Sequence, residues 1–286
     1  MVNSSTMTLI VIVMAIYFIG MIAISWMGRK YGKNFDDFIS AGRNCTTLMI
    51  IGSAVGSHIG NGYVVGGAAS GAAVSLSGAW YGIGCALSYL AVALVLNHRV
   101  YKCGYISLPE ILNARYGEKM TSVIFSVTTA LSYIANIAAQ LMAGKALFEA
   151  LGFNGTLGVW VIAVVVMAYS CISGLWGACA TSVVQVAIII VSLLATFFIV
   201  LGRGAFGLVT EAVANGLAPA SYFDMGADGI AAILITIVPI SLASLCEQCT
   251  VQRITSAKSE KTSFRALILV SYTHLRAHET PEHLVC

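Results

Sequence analysis

The 286-residue chain has little charge. Asp, Glu, Lys and Arg make up 9% of it, against about 25% in an ordinary soluble domain. With 58% apolar residues beside so few charges, a water-facing globule is excluded and a bilayer is the implied solvent. The net charge of +3 includes no basic patch dense enough for nucleic acid. Enzyme signatures are missing as well: there is no HExxH, no GxSxG, no P-loop and no facing pair of acids. Of the eight cysteines only Cys246 and Cys249 form a CxxC. No second pair of soft ligands follows at zinc spacing, so the cysteines read as small apolar packing residues and no metal besides a coupling cation is expected. The first apolar run, 7–26, is too long for a signal peptide and no small-residue cleavage site follows it, so it reads as a retained helix.

What is present is a series of apolar stretches near the roughly 20 residues that a spanning helix needs. Seven are read at 7–27, 47–73, 80–96, 123–148, 157–171, 181–201 and 229–246, and an eighth begins at Phe264 and is cut short. An all-α polytopic membrane protein follows. With the N-terminus outside, the inner loops are 29–44, 98–119, 173–178 and 252–265, and they hold twelve of the fifteen Lys and Arg. This excess of positive charge on one side fixes the expected orientation in the cell (plasma) membrane as N-terminus out.

The second span, GSAVGSHIGNGYVVGG at 52–67, is apolar yet full of glycine, and carries His58, Asn61 and Tyr63 at mid-depth. Glycine costs about 1 kcal/mol in a helix relative to alanine, so the helix is expected to break between Gly56 and Gly62. A break lining a cavity turns backbone carbonyls toward a small cation. Close packing is the other reading: Gly52, Gly56 and Gly60 are four apart, a face that lets helices approach. His58 favours the site reading, because an ionisable group at that depth is costly and marks function by default. The fourth span puts Tyr133, Asn136 and Gln140 on one helical face, as interhelical glue or as lining of a solute path. The seventh contains Pro239, then Ser241, Ser244, Glu247 and Gln248. The proline bends the helix, and the serines are positioned to take up freed carbonyls. Glu247 either binds something or pairs with Arg253 at the cytoplasmic surface.

Three segments then stand in order. FISAGR at 38–43 resembles the entry loop of the sodium:solute symporter family. SGLWGACATSVVQ at 173–185 resembles that family's glycine-containing segment before T-D-x-x-Q. EQCTVQR at 247–253, followed by SAK at 256–258, resembles its D/N-Q-x-x-x-Q-R-x-x-A-A-K. The similarity runs over about 17–269. It implies a leucine-transporter-like inverted-repeat fold, here incomplete, with one five-helix repeat over 47–201 and a second opening at Gly229. It implies sodium held by the carbonyls of Gly56 and Ile59 and by hydroxyls of a helix beyond residue 286. It also implies solute contacts at Tyr63, Glu247 and Cys249, to which the polar residues His58, Asn61, Asn136 and Gln140 are added. Two departures bear on coupling. His58 stands where relatives often have Asp or Asn, and Ser182 stands at the Asp linked to a second cation, which leaves sodium against proton open.

The expected function is sodium-coupled symport of a small polar or anionic solute by alternating access, with lipid, sodium and solute as partners and no organic cofactor. The alternative is the membrane sensor domain of a larger signalling receptor. The transporter domain is read over 1–270. The polar run SYTHLRAHETPEHLVC at 271–286 resembles translated sequencing adapter and is read as a non-native tail.

Overall fold

The computed structural model describes residues 4–32, 34–59 and 76–279, and the chain folds as helices throughout those residues. In chain order these are α1 (Ser4–Gly28), α2 (Phe35–Ser40), α3 (Thr47–His58), α4 (Trp80–Ala91) and α5 (Asn97–Cys103). They continue as α6 (Leu108–Tyr116), α7 (Lys119–Ala150), α8 (Gly155–Gly202), α9 (Ala205–Ala214), α10 (Gly229–Leu245), α11 (Gln248–Thr255) and α12 (Glu260–Glu279). One π turn, Val92–Leu96, joins α4 to α5 without ending the span.

Among the described residues, four helical stretches are long and apolar enough to cross a bilayer: Thr6–Tyr31, Trp80–Cys103, Lys119–Ala150 and Gly155–Gly202. The pair α10 and α11, bent by 49° at its break, makes a fifth. Two differences from the expected spans have physical causes. The stretches 157–171 and 181–201 are one helical element of 48 residues, α8, with a single non-helical residue, Gly174, in place of the expected inner loop. At 1.5 Å per residue its length is about 72 Å, over twice a hydrocarbon core of about 30 Å, so α8 carries two spans in tandem. The eighth helix starts at Glu260, ahead of the expected Phe264, and passes through Ser271, which is buried, so the boundary expected at 270 falls inside α12.

The chain forms two compact units, Met1–Cys45 with Tyr105–Thr181, and Thr46–Gly104 with Ser182–Cys286. In the first, the FISAGR turn follows α2. Three successive residues, Ala41, Gly42 and Arg43, have left-handed φ of 56°, 55° and 53°, and the Ser40 hydroxyl donates to the Asp36 carbonyl at 2.6 Å. Gly174 has φ 56° and ψ −142° and lies against the Phe38 backbone carbonyl and ring, a place only a residue without Cβ fills. Beside it, Trp176 stacks on Tyr31 with ring centroids 4.6 Å apart.

In the second unit, Tyr89, Ile50, Val55, Val92, Val251, Ile254, Leu267 and Val270 are fully or almost fully buried. They come from α3, α4, the π turn, α11 and α12, so these elements share one core. The Trp80 indole N–H donates to the Met225 carbonyl at 2.7 Å, and the Ser241 hydroxyl to the Gly84 carbonyl at 3.3 Å, which ties α10 to α4. The expected role of Ser241, relieving the carbonyl that Pro239 frees in its own helix, is thus replaced by a bond to a neighbour. Thr46 caps α3 by accepting from the Met49 N–H at 3.4 Å.

Candidate transport site

The glycine-rich span ends its first helix where a break is expected. α3 stops at His58, and Ile59 has φ −83° and ψ 62° with its N–H still bonded to the Val55 carbonyl at 2.8 Å. The amides at 60 and 63, which would close helical bonds onto the Gly56 and Ile59 carbonyls, lie outside the described residues, as do Asn61 and Tyr63. The packing reading of the same glycines also holds. A Cβ on Gly52 would lie 2.8 Å from the backbone N and Cα of Val183, and one on Gly56 would meet Val186 at 3.2 Å and Ser182 at 3.8 Å. The two readings are therefore not alternatives: the Gly52 and Gly56 face seats α3 on the second half of α8, and the helix ends one turn later.

The second broken helix meets this end. α10 stops at Leu245, and Glu247 has extended backbone, φ −85° and ψ 127°, as the residue that caps α11. Its carboxylate accepts from the Thr250 hydroxyl at 3.4 Å. A carboxylate before the first turn of a helix faces the positive end of the helix dipole. Glu247 and Cys249 are half-buried. Both lie within electrostatic reach of Tyr89, whose ring receives His58 edge-on at a centroid distance of 5.3 Å and an interplanar angle of 88°. Tyr81 and Cys85, hydrogen-bonded to each other on α4, also feel Glu247.

Sequence reasoning missed the residue that organises this region. Arg253 was assigned to an inner loop as a positive charge facing water. It is buried, 4% exposed, and its guanidinium donates to three hydroxyls. Nε reaches Ser53 at 3.3 Å, one terminal nitrogen reaches Ser57 at 2.7 Å, and the other reaches Tyr89 at 3.2 Å. The planar fork of arginine suits such a spread of acceptors. The charged group acting on His58 is this guanidinium, where pairing with Glu247 was expected. The signal was present in EQCTVQR, since a motif arginine seven residues after a proline-containing span sits one to two turns inside the membrane end. Asn136 and Gln140 are not part of this cluster: they lie on α7, in the other unit, and are exposed there, with Tyr133 partly so.

The pattern of the sodium:solute symporter family matches residues 38–274, most of the chain. The chain belongs to the sodium:solute symporter family. Among its relatives, the sodium/proline symporter of Escherichia coli (strain K12) is 27% identical over 218 residues, covering 72% of this chain and 43% of that protein. Sodium/glucose cotransporter 1 of Mus musculus is 28% identical over 183 residues, covering 63% of this chain and 28% of that protein. The chain thus spans less than half the length of these curated relatives. A solved structure of a Na+-coupled sialic acid symporter in a substrate-bound outward-open state superposes with a TM-score of 0.81 at 16% identity, over 94% of this chain and 57% of that one. The symporter chain therefore has the leucine-transporter-like fold of a multi-pass membrane protein, in the part of that fold it spans. In those terms, the end of α3 and the α10–α11 break are the two interrupted helices that this fold places at its centre.

Proposed function

We propose that the chain is the N-terminal part of a sodium-coupled symporter that moves a small polar or anionic solute by alternating access. The observation that carries the reading is the meeting of two interrupted helices in one unit, with His58 and Glu247 both set around Tyr89. In this proposal the carbonyls of Gly56 and Ile59 hold sodium together with hydroxyls from a later helix of the longer protein. His58, Asn61, Tyr63, Glu247 and Cys249 face the solute, and Asn136 and Gln140 line its path. Glu247 and His58 are the ionisable members, and they set the polarity of the pocket. The membrane is the plasma membrane, with the N-terminus outside. The run 271–286 is read as foreign to this domain, and a native reading frame encoding it would overturn that.

The test is uptake by the longer protein in vesicles with an imposed sodium gradient, screened over amino acids, sugars and small carboxylates. Uptake is expected to fall to background when choline replaces sodium at constant pH. Equal uptake in choline rejects sodium coupling, and equal uptake without any proton gradient as well rejects symport.

A further inference from the structure

We infer that Arg253 is a positioning residue that links the end of α3 to the α11 break, so that an ion at one alters the exposure of the other. The inference rests on the sodium-symport reading above and names the part that transmits between its two sites.

The guanidinium grips the last turn of α3 along two routes. Ser53 and Ser57 are four residues apart on one face of α3, and both accept from it directly, at 3.3 and 2.7 Å. The Ser57 hydroxyl spends its own proton on the Ala54 carbonyl at 2.9 Å, which leaves its lone pairs turned to the arginine. Tyr89 accepts the third bond at 3.2 Å and holds His58, the last residue of α3, against its ring. The gripped residues Ser57 and His58 therefore lie between Gly56 and Ile59, whose carbonyls are the proposed cation ligands.

On the other side, Arg253 belongs to α11, an eight-residue helix whose cap is Glu247 and whose first turn holds Cys249. A helix that short moves as one piece. A cation that draws the Gly56 and Ile59 carbonyls inward shifts the Ser57 hydroxyl and the His58 ring. The only low-cost response of a buried guanidinium is to follow its acceptors, because leaving one N–H unmade in the interior is costly. Following them turns α11 and with it Cys249. The arrangement has what transmission between two sites requires: a contiguous set of bonded groups joining two elements that each carry one site.

Cys249 reports on this without knowledge of the solute. It is half-buried, whereas Cys45, Cys85 and Cys179 are buried and Cys103, Cys171 and Cys246 are exposed. In the longer symporter, with Cys103, Cys171, Cys246 and Cys286 replaced by serine, the rate of alkylation of Cys249 by N-ethylmaleimide is measured in sodium and in choline. Sodium is expected to change the rate about fivefold or more, the lower end of usual coupling between sites. In Arg253→Gln the rates in sodium and choline become equal. Ser57→Ala and Tyr89→Phe each remove one acceptor or ring contact at small volume cost, and each reduces the sodium effect part-way. A loss of folding alone would lower the amount of labelled protein and leave the ratio of rates intact, so the ratio separates positioning from support. A full sodium effect in Arg253→Gln overturns the inference. Should that variant fail to fold, a full effect in both Ser57→Ala and Tyr89→Phe overturns it instead. No sodium effect in the parent itself rejects the sodium reading, and the inference falls with it.

Discussion

A methyl group at Gly52 would lie 2.8 Å from the main chain of Val183. Main chain cannot rotate aside, so α3 and α8 would have to part. Gly52→Ala is therefore expected to destabilise the folded protein by about 1–3 kcal/mol, the usual cost of overpacking. Thermal unfolding in detergent checks this, with Gly20→Ala as the control, since nothing lies within 4 Å of a Cβ there. An unchanged melting temperature for Gly52→Ala would show that the two helices separate freely. The same scale explains why Gly174 has no substitute: its φ of 56° with ψ of −142° is a region that side-chain-bearing residues avoid at about 1–3 kcal/mol each, and the Phe38 carbonyl already occupies the space.

At the scale of elements, interruption is the theme. α3 begins with a side-chain cap, the Thr46 hydroxyl, and ends at a residue that other helices hold in place. Its start is thus local and its end tertiary. Thr46→Ala is expected to cost about 1 kcal/mol. The loss should appear as faster amide exchange at Leu48–Ile50 with no change at Val55, where the last turn is fixed by Arg253; uniform acceleration along α3 would contradict that division. This division also sets what the sequence could disclose. The glycine ladder and the EQCTVQR break were legible, because glycine spacing and a proline-containing span carry their consequences within a few residues. The merging of two spans into α8 was not, since a lone Gly174 and a true loop look alike until Phe38 is seen against the glycine. The hydroxyl cluster around Arg253 was not legible either. Its partners lie 164 to 200 residues away, and the positive-inside count assigned the arginine to water.

For the whole molecule the untested quantity is orientation. The excess of Lys and Arg in the segments 29–44, 98–119 and 252–265 puts those segments in the cytoplasm. Cys103 ends the Trp80–Cys103 span and is exposed, so it reports the side on which that span ends. With Cys103 as the only exposed thiol, a membrane-impermeant maleimide is expected to label inside-out vesicles and to leave intact cells unlabelled; labelling of intact cells would reverse the topology. The ion pair of His98 with Glu260, 2.8 Å long, joins α5 to α12 at this same end. Being exposed, it is worth about 0–1 kcal/mol and does not hold the unit together. The buried arginine has a consequence of another kind, for biosynthesis. Ser53, Ser57 and Tyr89 enter the bilayer long before Arg253 leaves the ribosome. At about 5–20 residues per second, the hydroxyls precede the guanidinium by roughly ten to forty seconds. An arginine inserted alone is unfavourable by about 2.5–3.5 kcal/mol. The short helix that carries it is thus drawn into place by helices made before it, and a nascent chain stripped of α3 would leave that helix waiting at the membrane surface.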